Sequence, residues 1–301
     1  MVVMSHMSRF EIGRLAVLLF FVLSGYWVTI LWESKFSRNR VLAFYGSRYF
    51  RIAPLYLISL AVFSFLLQMP VWPVNLALLG VASQSHDPLG VSWSLDVELQ
   101  FYLCLPLIVW MVRRNEPILL GVVTAAATAA GWYLGLVFDV WIVGAYLPAF
   151  LIGVLGAVAK YSPSRKIGLI SLAAFGAFTL LLAALPWTRG QMDNNAPNAI
   201  NHDLFAFVWM LPVIPYIFAS VAIPSGKLDR HFGNLSYSLY LVHFPIILIV
   251  KKALPWDSSV KVLAIGLSMA AAVALYVLVD RRIDPMRQQI FEPRGMKEKL
   301  G

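Results

Sequence analysis

Residues 15–31 have the sequence LAVLLFFVLSGYWVTIL and carry no charged side chain. A helix crosses the roughly 30 Å hydrocarbon core of a bilayer with about 20 apolar residues. This segment therefore predicts a membrane span. No small-residue cleavage site follows it, so we interpret it as a retained span and not as a signal peptide.

The composition of the whole chain agrees with this first span. Of the 301 residues, 60% are hydrophobic and 13% are charged, and the mean hydropathy is +0.75. Soluble domains carry about 25% charged residues, so the composition excludes a water-soluble globular protein. We expect one all-α, polytopic membrane domain over residues 1–284 and a basic tail at 285–301. The single cysteine, Cys104, excludes a disulfide framework.

Eight further apolar runs, bounded by charges or by Pro and Gly, predict eight more spans. They lie at about 52–69, 98–112, 117–138, 141–159, 167–186, 204–223, 236–250 and 262–279. The stretch 71–83 follows Pro70 and contains Pro73, which favours a re-entrant or interfacial segment. Residues 1–7 are an apolar stub, which we interpret as the end of a truncated first helix. The expected total is about ten transmembrane helices.

The charges predict the orientation. The net charge is +9, which in a soluble protein would suggest a nucleic-acid partner. When successive spans alternate in direction, eighteen of the 24 Lys and Arg residues lie on the same side of the membrane. The positive-inside rule then places the Arg-rich loop and the C-terminus in the cytoplasm. The loops at 70–97, 187–203 and 251–261 are expected outside, and no nucleic-acid partner is expected.

Several ionisable side chains lie at membrane depth, where they are costly and therefore candidates for function. His6, at the end of the stub, can take a proton from a hydroxyl or can simply mark the interface. Arg48 and Arg51 share one helical face. Their guanidinium groups can chelate phosphates or anchor the topology. His243, in the middle of a span, needs a partner, which a structural hydrogen bond would supply.

Two acidic residues lie where an outer loop enters a span. They are Asp96 and Glu98, in the segment WSLDVELQFY at 93–102. A carboxylate there can orient a histidine or hold a sugar hydroxyl. The alternative is a helix start in which Ser94 is the N-cap and the acids favour the helix dipole. No HExxH pattern or i, i+4 histidine pair is present, so the sequence predicts no metal site.

Five motifs, in this order, resemble the acyltransferase-3 family of bacterial integral-membrane acyltransferases over nearly the whole chain. They are His6 in VVMSH, FFVLSG at 20–25, RYFRIAPLY at 48–56, WSL at 93–95 with Glu98, Phe101 and Tyr102, and GNLSYSLY at 233–240 with His243 and Pro245. Two features depart from the family pattern. The basic stretch that family members carry upstream of the histidine would precede Met1, and Leu18 or Leu19 stands where the family has an acidic or polar residue.

The resemblance implies transfer of an acyl group, usually acetyl, from cytoplasmic acyl-CoA to a hydroxyl of a lipid-linked or exported glycan. It implies acetyl-CoA as a donor substrate, no permanently bound cofactor, and a multi-pass protein of the bacterial inner membrane. In family terms His6 is catalytic, as a base or through a transient acyl-histidine. Arg48 and Arg51 would help to hold the CoA phosphates, and Glu98 would orient His6 or the acceptor. Substrate-binding or structural roles fall to Trp93, Ser94, Tyr102, Tyr240 and His243.

Two other functional classes stay open at this point. One is a transporter or flippase that uses the same buried histidines and arginines as a substrate path. The other is an inactive, truncated partner of a polysaccharide export system. A transporter predicts internal repeats, and the sequence shows none.

Overall fold

The fold is known from a computed structural model, which describes residues 2–8, 10–36, 40–84, 87–193, 201–224 and 226–291. Within these ranges the regular elements are helices, joined by turns and one isolated bridge between Phe10 and Asp193. In chain order they are α1 (Val2–Met7), α2 (Gly13–Lys35), α3 (Val41–Leu67), α4 (Pro73–Ala77), α5 (Ser92–Arg113), α6 (Pro117–Phe138), α7 (Val143–Val158), α8 (Arg165–Ala184), α9 (Pro186–Gln191), α10 (His202–Met210), α11 (Ile214–Val221), α12 (Lys227–Ala253), α13 (Ser258–Leu275) and α14 (Arg281–Phe291).

The all-α, polytopic membrane architecture is confirmed. Among the described residues, eight helical segments are long and apolar enough to cross a bilayer, two of them made of consecutive helices. The 16-residue α7 is apolar but shorter, and α1 has six residues. The segment expected to be re-entrant or interfacial holds the five-residue α4 and a short 3-10 turn at Val81–Ser83.

Two helices begin earlier in the chain than the apolar runs suggested. Helix α3 begins at Val41 rather than near residue 52, so Arg48 and Arg51 lie within the helix. Helix α5 begins at Ser92, and its N-cap is Val91. The interpretation of Ser94 as an N-cap is therefore wrong. Both helices extend because tertiary partners stabilise polar side chains that hydropathy alone would exclude.

The chain divides into two compact units. Unit one contains Met1–Trp27 and Ala149–Arg230, and unit two contains Val28–Pro148 and His231–Gly301.

Unit one is held together by close helix contacts and one ion pair. The rings of Phe21 and Phe150 stack with centroids 4.5 Å apart. Ser171 of α8 donates to the carbonyl of Pro212 at 2.6 Å, which fixes α8 beside the start of α11. The Nη1 atom of Arg14 lies 2.9 Å from Oδ1 of the buried Asp203. These contacts join the first half of α2 to α7 and α10, and α8 to the turn before α11.

In unit two, helix α14 packs on the first turns of α3. Arg40 donates to the carbonyl of Phe291 at 2.8 Å, and Arg287 donates to Ser47 at 2.9 Å. Helix α13 leads into α14 through a π-helical turn at Tyr276–Asp280. Residues 285–291 of the expected basic tail are thus helical, and 292–301 lie outside the described residues. The boundary at 284 stays a prediction.

Candidate active site

His6 lies near the end of α1 in unit one and is partly exposed. The residues on either side of it, Ser5 and Met7, are buried. Ser5 also meets the start of α2, because its Oγ lies 2.9 Å from the position that a Cβ on Gly13 would take. The short helix is therefore held by its neighbours while one of its side chains, the imidazole of His6, keeps access to the surroundings.

Arg51, in unit two, is committed to an ion pair. Its Nη1 lies 2.8 Å from Oδ1 of Asp280, and its Nη2 donates to Oδ1 of Asn234 at 3.2 Å. Its guanidinium carbon lies 5.8 Å from the ring centroid of Tyr237. Arg51 therefore connects α3 with α12 and with the π-helical turn that follows α13. A partly buried ion pair with further hydrogen bonds is the arrangement that offsets the desolvation of both charges.

Arg48 lies three residues away but has a different environment. Only 9% of it is exposed, and its Nη2 donates to the neighbouring Ser47 at 3.3 Å. Its Nε has no hydrogen-bond partner among the described residues. Within its electrostatic range lie Tyr102, Glu98 and two further arginines, Arg51 and Arg287. The two arginines of the RxxR motif thus differ, since Arg51 forms an ion pair with a carboxylate and Arg48 forms none with the residues that the structure describes.

Glu98 is a buried carboxylate in the same unit. It accepts a hydrogen bond from the hydroxyl of Tyr102, one helical turn further along α5. Because Arg48 lies within electrostatic range, the carboxylate, the phenol and the guanidinium form one polar cluster inside apolar helices. Such a cluster is costly within a membrane and is therefore a candidate for function. We refer to Arg48, Glu98 and Tyr102 as the unit-two polar cluster.

Asp96, two residues before Glu98, is a structural residue. It is fully buried, and its carboxylate accepts from the backbone N–H of Ala82 at 2.8 Å and from Nε2 of Gln100 at 2.9 Å. Gln100 in turn accepts from the N–H of Val143 at 2.9 Å. One carboxylate therefore joins α5 to the turn at 81–83 and, through Gln100, to the start of α7.

Asp96→Ala is expected to lower the stability of the chain. The change leaves two half-buried donors, on Ala82 and Gln100, without their acceptor. A fully buried donor left in this way costs about 1–3 kcal/mol. The measurement is the thermal unfolding midpoint of the purified chain in detergent. The matched control is Glu116→Ala, because Glu116 is exposed and its side chain makes no capping hydrogen bond. Equal midpoints for the two variants would contradict the structural role.

The remaining aromatic and polar candidates lie close to one another in unit two. Oγ of Ser94 and the hydroxyl of Tyr240 share a hydrogen bond of 2.6 Å, and that hydroxyl also donates to the carbonyl of Val91 at 3.0 Å. The rings of Trp93 and Tyr146 are 5.6 Å apart. These contacts join the start of α5 to α12 and α7.

His243 is fully buried in α12. Its Nδ1 lies 2.8 Å from the carbonyl oxygen of Tyr240 and 3.0 Å from that of Leu239. Carbonyl oxygens only accept hydrogen bonds, so a neutral imidazole here carries its proton on Nδ1, which leaves Nε2 as an acceptor. The structural hydrogen bond that the sequence required of this histidine is thus present.

A family model that is described as an acyltransferase domain matches residues 1–281. The chain belongs to the acyltransferase-3 family. Two similar proteins are Nodulation protein 10 of Rhizobium leguminosarum bv. viciae and the O-acetyltransferase OatA of Staphylococcus aureus. The first is 25% identical over 265 residues, which cover 75% of this chain and 70% of that protein. The second is 28% identical over 286 residues, which cover 79% of this chain and 46% of OatA.

This acyltransferase-3 chain thus spans less than half the length of OatA. No solved structure matches the chain.

Several residues around the site of this acyltransferase-3 protein were not among the sequence candidates. Asn234 and Tyr237 belong to the GNLSYSLY motif, and Tyr237 donates to the carbonyl of Ile52 at 2.9 Å. Asp280 is the acidic residue at the end of an apolar run, and a carboxylate in that position indicates a basic partner in the helix bundle. Arg287 belongs to the expected basic tail, and no motif around it distinguishes it from the other basic residues there.

A further missed residue is Asp87, in the loop before α5. Its carboxylate accepts hydrogen bonds from the N–H of Leu89 at 3.0 Å and from both the N–H and the hydroxyl of Ser92, at 2.7 and 2.8 Å. Burial raises the pKa of Asp87 above its ordinary value, and these donors oppose that shift. Asp87 therefore supplies the acceptors at the first turn of α5 in place of a capping side chain at Val91.

Proposed function

We propose that this chain is an O-acyltransferase of the bacterial inner membrane. It transfers an acyl group, acetyl in the first instance, from cytoplasmic acyl-CoA to a hydroxyl of a cell-surface or exported carbohydrate. Its C-terminus lies in the cytoplasm. Membership of the acyltransferase-3 family and the similarity to a protein named as an O-acetyltransferase support this proposal. The observation that carries it is the unit-two polar cluster, buried among apolar helices.

The proposed reaction needs one base and one anion site. The imidazole of His6 takes the proton of the acceptor hydroxyl, and the oxygen attacks the thioester carbonyl of acyl-CoA. The new ester forms as the C–S bond breaks, and the CoA thiolate leaves with the proton that the imidazolium returns. Arg48 and Arg51 belong to the region that holds the phosphates of CoA, and Glu98 orients the acceptor. Trp93 and Ser94 border the acceptor site.

The proposal is tested by the mass of the surface polysaccharide of the source bacterium with and without this gene. Deletion is expected to remove about 42 Da for each acetyl group lost, and a plasmid copy is expected to restore it. Membrane vesicles that contain the chain should then transfer label from labelled acetyl-CoA to the deacetylated polysaccharide. An unchanged polysaccharide mass after deletion, together with no transfer of label, would overturn the proposal.

A further inference from the structure

Helix α1, which carries His6, is too short to fix its own position. It has six residues, and isolated helices shorter than about 12–15 residues are marginally stable in water. Its placement therefore depends on contacts outside the helix. Ser5 is buried, and its Oγ lies 2.9 Å from the position that a Cβ on Gly13 would take. The position of the His6 imidazole thus depends on what fixes the first turn of α2.

The segment that connects α1 to α2 is bound to the chain that follows α9. The N–H of Glu11 donates to the carbonyl of Met192 at 2.9 Å, and Phe10 forms the isolated bridge with Asp193. The ring of Phe10 also lies edge-on to Trp209 of α10, with the ring centroids 5.7 Å apart. The connecting segment is therefore held by its backbone and by one aromatic side chain.

Arg14 anchors the first turn of α2 to α10. Its Nη1 donates to Oδ1 of Asp203 at 2.9 Å. Asp203 is 6% exposed and lies in the first turn of α10, where its N–H donates to the side chain of the N-cap residue Asn201. A carboxylate in the first turn of a helix is favoured by the helix dipole, and a partly buried ion pair is screened less than an exposed one. Because Arg14 adjoins Gly13, this ion pair fixes the turn that Ser5 contacts.

We propose that Asp203 and Arg14 are positioning residues for catalysis by His6. Asp203 fixes Arg14, Arg14 fixes the first turn of α2, and that turn fixes α1 through the contact between Gly13 and Ser5. The catalytic role of His6 rests on the proposed function, whereas the connection from Asp203 to α1 rests on the contacts of unit one. Sequence spacing gives no indication of this ion pair, because its two residues are 189 positions apart.

The test measures kcat and the KM for acetyl-CoA of the full chain in membrane vesicles, with the deacetylated polysaccharide as the acceptor. Asp203→Asn and Arg14→Gln are each expected to lower kcat about tenfold or more, because a displacement of about 1 Å can cost about 10²-fold in rate. The KM for acetyl-CoA is expected to stay unchanged, since the ion pair places the base and does not bind the donor. The matched control is Glu33→Gln, which breaks the ion pair with Arg113 in unit two and should change neither constant.

Two further variants separate positioning from a merely structural role. If both residues act through one ion pair, the double variant Asp203→Asn with Arg14→Gln loses no more kcat than either single variant. Arg14→Lys retains the charge and is expected to keep more of kcat than Arg14→Gln, and it provides the measurement if the other variants fail to fold. Losses that multiply in the double variant, or a lower yield of folded protein with an unchanged kcat, would overturn the proposal.

The mobility of α1 provides a readout that does not depend on activity. Met4 is an exposed residue of α1, and Cys104 is the single cysteine of the chain. A nitroxide label on Met4→Cys in a Cys104→Ser background therefore reports on α1 alone by electron paramagnetic resonance. Asp203→Asn is expected to increase the mobility of this label, and Glu33→Gln is expected to leave it unchanged. An unchanged spectrum after Asp203→Asn would show that the ion pair does not hold α1.

The two measurements distinguish this inference from the proposed function. If Asp203→Asn increases the mobility of the label but the unmodified chain transfers no acetyl group, the connection from Asp203 to α1 stands and the proposed function fails. If the unmodified chain transfers acetyl and Asp203→Asn does so with an unchanged kcat, the positioning role is wrong and the proposed function stands.

Discussion

His6→Ala is expected to abolish acylation of the glycan while the amount of protein in the membrane stays unchanged. A positioned general base accelerates proton transfer by about 10²–10⁴-fold. Alanine removes the imidazole, whereas the neighbours that hold α1, Ser5 and Met7, remain buried. The measurement is the acetyl content of the polysaccharide in cells that carry equal amounts of each variant.

The matched control is His231→Ala. His231 is exposed and shares a hydrogen bond of 2.8 Å with the hydroxyl of Tyr276. Since it has no role in the proposed reaction, this variant should acylate at the normal level. Full acetyl content in the His6→Ala strain would show that His6 is not catalytic.

The same variant decides between the two proposed roles of His6. A transient acyl-histidine would retain label from labelled acetyl-CoA when no acceptor is present, and His6→Ala would lose that label. A general base retains no label in either protein. The absence of label on the unmodified chain under conditions that support transfer therefore assigns His6 as the base.

Gly153→Ala is expected to cause the largest loss of stability among single changes in unit one. A Cβ at this position would lie 2.0 Å from the carbonyl oxygen of Val22 and 2.6 Å from the backbone nitrogen of Tyr26. These are backbone atoms of α2, which cannot rotate away as a side chain does. Overpacking of a dense interior costs about 1–3 kcal/mol, and a contact this short requires α2 and α7 to separate.

The control for this prediction is Gly176→Ala. Gly176 lies in α8 of the same unit, and a Cβ there meets no atom within 4 Å. Alanine in place of an open helical glycine stabilises by about 0.5–1 kcal/mol. The thermal unfolding midpoint in detergent should therefore fall for Gly153→Ala and hold or rise for Gly176→Ala. A Gly153→Ala midpoint equal to that of Gly176→Ala would mean that α2 and α7 do not approach so closely.

Gly25, in the FFVLSG motif, lies on the α2 side of this contact between α2 and α7. A Cβ on Gly25 would lie 2.2 Å from the carbonyl oxygen of Phe150. Gly25 and Gly153 thus let the backbones of α2 and α7 approach closely, as small residues do at helix contacts in membranes. In this motif the glycine serves packing, and the sequence pattern alone gave no indication of which helix it would meet.

Most of the helical architecture was predictable from the sequence. A run of about 20 apolar residues can satisfy its backbone hydrogen bonds within a bilayer only as a helix or a closed barrel. The motifs around His6, Arg48 and Glu98 were also recognisable, because each contains an ionisable group in an apolar setting. The start of α3 at Val41 and that of α5 at Ser92 were harder to predict from the sequence, because polar residues extend these helices only where partners from other helices stabilise them.

What each of these polar residues does was decided by the tertiary structure. Arg48 and Arg51 share one motif and one face of α3, yet only Arg51 meets Asp280, which lies 229 residues away in the chain. Asp96 and Glu98 are two positions apart, yet Asp96 holds a turn and Glu98 joins the unit-two polar cluster. Hydropathy and spacing act over a few residues, whereas the environment of a buried charge depends on which distant helix supplies its partner.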